Sequence, residues 1–324
     1  MNPDREGVHR RREQVIIEAP VSKERKMPEA FMRRWATRLV RAGVAAGCAV
    51  LLLGCAAPGA GGGAGGAGTL LAALQDARIV DLSHTWEPQS PLASVNPPYS
   101  FALSATHGKT RGSFNDGGQL SFASEEMHWS GQHGAPTIDA LGHIGRDGKL
   151  FGGVNADSAT AQPGGIGASG TGANLGIDSF PVELMVSRGV LLDVATMVQG
   201  DARPLPAGFE ITGAHLEQAA SRQGVRLQRG DTVFIRTGWG ALFKSNAAIY
   251  AGESSPGPGL DAAEFLIRQG ARIVGNDTLT FEKRPPVVMT PKFQVFPVHM
   301  RLIADAGIYI VENLDLEELA ALRV

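Results

Sequence analysis

HGAPTIDALGH, residues 133–143, decides how this chain is read. Its eleven residues hold two imidazoles and a carboxylate, His133, Asp139 and His143, among side chains that are otherwise small or apolar. Imidazole nitrogen and carboxylate oxygen are donors that suit Zn²⁺ or Mn²⁺, and an Asp four residues before a His lets both reach one point from a strand or turn. Surface residues or satisfied polar groups of a core would give the same letters, so the spacing alone leaves that alternative open.

Further stretches extend the pattern outward. SGQHGAPTIDALGHIGRDG (residues 130–148) is similar to HxGTHxDxPxH, the signature of the cyclase and kynurenine-formamidase family of metal-dependent amidohydrolases. VDLSH (Val80–His84) resembles that family's opening strand, RGVLLDVA (Arg188–Ala195) and RGDTVFIRTGWG (Arg229–Gly240) its middle, and VGNDT (Val274–Thr278) a later strand. PVHMRLIADAGIYIVENLDLEEL (Pro297–Leu319) resembles its closing His and Glu-Asn-Leu elements, so the resemblance runs from about Ala77 onward.

The resemblance implies an α/β chain with the swivelling β/β/α cyclase-like fold, a central β-sheet or barrel with outer helices. It implies a divalent metal, Zn or Mn, held among His133, Asp139, His143, His299 and Glu312, with His143 as general acid/base. The substrate class that follows is a small cyclic amide, lactone or formamide, as for kynurenine formamidase and isatin hydrolase. One position departs from the pattern: the signature's second His falls on Thr137, whose hydroxyl is a poor zinc ligand. The alternative is therefore a catalytically silent, lipid-tethered ligand-binding protein on the same fold. His128 and Gln132 precede the motif as candidates for a substitute ligand, with His128 equally an ordinary strand residue, and Asp277 is either a group that supports a metal ligand or part of a turn.

The N-terminal quarter has a different character. Arg33, Arg34, Arg38 and Arg41 precede an apolar run from Ala42 to Leu53 and then Leu52-Leu53-Gly54-Cys55. This reads as a lipoprotein signal over residues 32–55, with Cys55 lipidated and residues 1–31 as an upstream extension before Met32. The apolar run is about a dozen residues, short of the roughly twenty that span a bilayer. A Gly/Ala-rich tether, residues 56–68, leads to one domain over residues 69–324, large enough for a sizeable core. The expected location is the periplasm, anchored in the outer membrane through lipid alone.

Both cysteines, Cys48 and Cys55, lie in that leader, so the domain has neither disulfide nor thiol nucleophile. Residues 1–55 hold 11 of the 30 Lys/Arg and 6 of the 32 Asp/Glu, which leaves 19 against 26, a net charge of −7. That balance argues against nucleic acid, since phosphate binding needs a basic face. A small-molecule substrate is the expected partner, with a homodimer left open. No GxSxG elbow is present, and a metal-activated water needs none.

The mature chain mixes strand and helix patterns, which fits a sheet with helices outside. Pro88 to Ser104 reads as loop and Leu120 to His128 as a strand entering the His133 loop. Phe151 to Phe180 reads as a lid by its Gly, Ala, Ser and Thr content; its GIGASG (Gly165–Gly170) lacks the flanking strand and helix of a dinucleotide site. Helices are expected at AHLEQAASRQG, ending at Gly224, and at AAEFLIRQ, opened by an Asp261/Glu264 capping box and closed by Gly270. A buried strand, Ile308 to Val311, delivers Glu312. Trp86, Phe114, Trp129 and Trp239 are candidates for an aromatic pocket or for core.

Overall fold

The computed structural model describes residues 75, 77–94, 96, 99–128, 136–159 and 175–323. Cys55, the tether, Trp129, Gln132, His133 and the Gly165–Gly170 segment lie outside the described residues. Among those described, no helix is long and apolar enough to cross a membrane.

Two strands, β1 (Ser100–Ala105) and β2 (Ser124–His128), form an antiparallel ribbon. The central sheet uses β3 (Thr137–Asp139), β4 (Gly189–Asp193), β5 (Thr232–Arg236), β6 (Ile273–Asn276) and β7 (Tyr309–Glu312). Its order is β3-β7-β6-β5-β4, with β4 to β7 parallel and β3 antiparallel on the edge. Helices are α1 (Val194–Gln199), α2 (Gly213–Gln223), α3 (Leu242–Ser245), α4 (Ala247–Tyr250) and α5 (Leu260–Gln269). The chain ends with α6 (Pro297–His299), which runs into a π-helical turn (Met300–Asp305), and α7 (Glu317–Ala321).

The parallel strands read as apolar runs because both faces of the sheet are covered. On one face Leu192, Val233, Ile235, Val274 and Ile310 pack with Leu216 and Ala219 of α2, Ala262, Ala263 and Leu266 of α5, and Leu302 and Ile303 of the π turn. On the other, Leu191 and Leu314 meet Leu316, with Leu82, Phe234 and Val311 beside them. Each such Leu or Ile contributes about 1.5–3 kcal/mol by leaving water. Gly275 sits where β5, β6 and β7 are tightest: a Cβ there would lie 2.9 Å from the Val311 carbonyl oxygen and 3.0 Å from Leu314 and Phe234.

Helix α2 starts on a capping box in which the Thr212 hydroxyl accepts from His215 N and the His215 ring answers the Thr212 N–H. It stops at left-handed Gly224, as α5 does at Gly270, both as the sequence predicts. The expected Asp261/Glu264 capping box is not formed. Gly259 caps α5, while Asp261 accepts from Gly213 N at 2.7 Å and Glu264 pairs with Arg301 at 2.6 Å. Tertiary partners have taken both carboxylates. Within the stretch read as loop, β1 begins at Ser100, and the predicted Leu120–His128 strand is shortened to Ser124–His128. Residues 151–159 and 175–180 form helical turns, Phe151–Gly153, Ala156–Ala159 and Ile177–Ser179, so the described ends of the expected lid carry local structure.

Arg236 ends β5 at 1% exposure. Its guanidinium donates to Asp193 at 3.0 Å, to Glu317 at 2.7 and 3.0 Å and to the Ala202 carbonyl at 2.9 Å, which ties β4, β5 and α7 together.

Candidate metal centre

Register places the first two groups. β3 and β7 pair so that Glu312 faces Thr137 and Ile310 faces Asp139. Side chains two apart on a strand share a face, so Thr137, Asp139, Ile310 and Glu312 all project towards the side that α6 covers. His299, on α6, completes the group. Its Nε2 lies 3.1 Å from Glu312 Oε1 and 3.6 Å from Asp139 Oδ2. Ligand atoms of Asp139, His299 and Glu312 all fall within 4.8 Å of one another, although 173 residues separate the first from the last.

A fourth side chain, which the sequence reading did not single out, fixes the imidazole. Glu282 Oε1 is 2.6 Å from His299 Nδ1, and the carboxylate also accepts from the backbone N–H of His299 at 3.0 Å and of Val298 at 3.3 Å. With Nδ1–H committed to Glu282, Nε2 is the nitrogen that turns to Asp139 and Glu312. The backbone around this pair is bent to suit. Phe281 (φ 47°) and Phe296 (φ 53°) are both left-handed, as is Asn313 (φ 59°), so three of the six such non-glycine residues among those described border the cluster. Asn276 Nδ2 donates to the Phe281 carbonyl at 2.7 Å and holds the first bend. Gly257 leaves room for it, since a Cβ there would lie 2.5 Å from the Phe281–Lys283 backbone.

Charge then shows what the cluster is suited to hold. Asp139 and Glu312 are fully buried and Glu282 is 2% exposed. Their ion pairs include those to His143 and His299. Burial opposes a charge on His299, yet the hydrogen bonds and charges of Glu282 and Glu312 outweigh it and push its pKa up to about 10. Three carboxylates around one imidazole remain negative even then, and sealing such charge from water costs several kcal/mol per ion unless a cation answers it. Two carboxylates and an imidazole nitrogen are a donor set that fits a hard or borderline divalent cation.

His143 stands at the margin rather than within the group, its Nε2 4.0 Å from Asp139 Oδ1 and its side chain 30% exposed. His133 lies outside the described residues. The Thr137 hydroxyl is buried and makes no hydrogen bond. His128 points outward, its side chain 72% exposed and 3.1 Å from Glu126. Asp277 belongs to a turn: it accepts from Thr237 N at 2.8 Å, Thr237 Oγ1 at 2.7 Å and Gly240 N at 3.3 Å. Burial raises its pKa to about 6, against the opposing hydrogen bonds from Thr237. Trp239 is core, packed with Phe243, Tyr250 and Leu279, whereas Phe114 is 41% exposed beside Phe122. Trp86 lies 5.9 Å from Tyr99. A cavity of about 240 Å³ reaches the cluster's outer side at Glu282, Pro297 and Val298. A larger one, about 730 Å³, lies by Arg236 and α7 and is lined by none of the cluster residues.

Comparison with known proteins agrees with this architecture. A cyclase crystal structure is 26% identical, with a TM-score of 0.62 over 78% of this chain and 79% of that one. Isatin hydrolase A from Labrenzia aggregata, bound to benzyl benzoate, is 21% identical (TM-score 0.54; 78% and 87% covered). An isatin hydrolase bound to the product analogue thioisatinate is 18% identical (TM-score 0.55; 78% and 86% covered). These last two share the fold. No curated protein matches the chain. The cyclase family model matches residues 80–283, a span that includes Asp139, His143 and Glu282 and stops short of His299 and Glu312. With more than half of its length matched and the same mixed sheet as the cyclase structure, this chain belongs to the cyclase family.

Proposed function

We propose that this chain is a metal-dependent hydrolase that opens a small cyclic amide, a lactone or a formamide, with Asp139, His299 and Glu312 as protein ligands and His133 and His143 at the edge of the site. The observation that carries this reading is the sealed group of carboxylates around His299. A divalent cation, Zn or Mn, bound there supplies a water of lowered pKa and polarises a carbonyl oxygen. Asp139 and Glu312 set the negative field that retains it, and Glu282 keeps the His299 ring turned. His143, close to Asp139 yet open to solvent, is placed to take a proton from the attacking water and hand one to the departing nitrogen or oxygen. The isatin hydrolases share the fold and act on a cyclic amide by name, which supports the substrate class.

A second reading rests on Thr137. Its buried hydroxyl stands opposite Glu312, where the family signature has a second His, so the chain offers one ligand fewer. On that reading the protein binds a ligand without turning it over. Elemental analysis of the purified mature domain beside an amide, lactone and formamide panel separates the two. The hydrolase reading expects one tightly held zinc or manganese per chain and turnover that His143→Ala abolishes; a metal-free, inactive wild type refutes it. The mature protein is further proposed to start at a lipidated Cys55 and to face the periplasm from the outer membrane, supported by the Arg-rich start and the Leu-Leu-Gly-Cys box. An unmodified N-terminus by mass spectrometry would end that part.

A further inference from the structure

Asn313 directly follows the carboxylate ligand Glu312, their Cα atoms about 3.8 Å apart as in any trans peptide. It is fully buried and left-handed, and its backbone N–H donates to the Thr278 carbonyl at 3.0 Å. One end of its amide is held: Tyr250 Oη donates to Oδ1 at 2.8 Å. The Tyr250 ring is itself fixed, fully buried with Phe243 edge-on at 5.1 Å, while Trp239 Nε1 donates to the Tyr250 carbonyl at 3.3 Å. Burial, with the charges of Asp277, Glu312 and Asp315, lifts the phenol well above its ordinary pKa, so this hydroxyl remains a donor. The amide oxygen is therefore turned towards Tyr250 and the NH₂ away from it. That other end, Asn313 Nδ2, is buried and makes no hydrogen bond. A buried donor left unmet costs about 1–3 kcal/mol, and the strained backbone adds to the cost, so the arrangement calls for an acceptor from outside the chain.

We propose that Asn313 Nδ2 donates to the carbonyl oxygen of the substrate at the metal centre, and that Tyr250 is the positioning residue that orients it. The inference rests on the hydrolase reading above. When the oxygen of water adds to the carbonyl carbon, the C=O π pair moves onto oxygen, and Nδ2–H meets the charge that develops there. When the tetrahedral species collapses, that pair re-forms C=O and the bond to nitrogen or oxygen breaks, with the proton from water going to the leaving atom. Asn313 itself loses no proton.

The test uses Asn313→Gly, which suits the left-handed backbone and removes the amide, with Asn313→Asp, which keeps the acceptor for Tyr250 and removes the donor. Zinc stoichiometry, thermal midpoint, kcat and KM are measured together, and acetohydroxamate is titrated into the zinc-loaded proteins as a probe with one carbonyl oxygen. Both variants should keep zinc and the fold, lose about 100-fold in kcat with KM changed less than about threefold, and bind acetohydroxamate about tenfold more weakly. Tyr250→Phe should lose about tenfold in kcat, as the amide is no longer oriented. Folded, zinc-loaded variants with kcat and hydroxamate affinity within about threefold of wild type would overturn the proposal. So would zinc loss in proportion to lost activity, which would make Asn313 a support for Glu312. A wild type that holds zinc but hydrolyses nothing refutes the hydrolase reading instead, and the hydroxamate affinities then decide for or against Asn313.

Discussion

Arg236 and His299 are each 1% exposed and each is ringed by carboxylates, yet the charge around them is balanced in opposite ways. Arg236 carries a permanent cation, and its partners Asp193 and Glu317 keep 17% and 33% of their side chains in contact with water. Around His299 three carboxylates are sealed to 2% exposure or less, and the partner they share is an imidazole rather than a permanent cation. The first group is complete without any addition and serves to bind β4, β5 and α7 together. The second is suited to a cation from solution. A buried charge is thus a poor marker of function by itself; an excess of one sign, sealed from solvent, is a better one.

The largest break in that comparison should come from Glu312→Ala. Zinc affinity is expected to fall by well over the 10–100-fold of an outer-shell change, measured by competition with a chromogenic chelator. In excess EDTA the same variant should be no less stable to urea than wild type, because one of three crowded like charges is gone. Arg236→Met should do the reverse: about 3–4 kcal/mol of stability lost in urea, because Asp193 and Glu317 lose their partner, with zinc stoichiometry unchanged. If Glu312→Ala proves the less stable of the two in EDTA, the distinction fails.

Asp277 offers an intermediate case, a buried carboxylate answered by N–H and O–H donors. Its pKa is raised from 3.8 to about 6, so the folded state holds the proton more tightly than the unfolded chain. The resulting stability is fully present below about pH 4 and is lost as pH rises through about 6, a change of up to about 3 kcal/mol. Subtracting the urea stability of Asp277→Asn from that of wild type between pH 4 and 7 should expose this slope, and a flat difference would refute it. The smallest effect is expected from Glu282→Gln, which keeps a partner for His299 Nδ1 but removes the charge. Zinc affinity should drop 10–100-fold with the fold intact, read by the same chelator competition.

Much of this was legible in the chain. Strands β4 to β7 stand out because their two covered faces demand unbroken apolar runs, and Gly224 and Gly270 mark helix ends because only a left-handed residue fits there. Asp139, His143, His299 and Glu312 follow from the family resemblance, which the register of β3 against β7 turns into a shared face. Glu282 was not legible, because a Glu before Lys283 and Arg284 looks like any solvated charge; its role depends on the bend at Phe281 and the room left by Gly257. Asp261 and Glu264 were misread since a capping box is a local pattern, and partners 48 and 37 residues away in sequence had the stronger claim. The ribbon strand β1 was missed because local pairing with β2, rather than its own periodicity, makes it a strand.

The span of the cluster also bears on how the protein is made. Asp139 comes from the edge strand, Glu282 from a bend late in the chain, and His299 and Glu312 from the last elements, so the grouping is incomplete until residue 312 has left the ribosome. A nascent chain therefore carries scattered acids and histidines rather than a preformed trap for ions. Ion capture becomes a late event in biogenesis, set by whatever ions surround the chain where it completes folding.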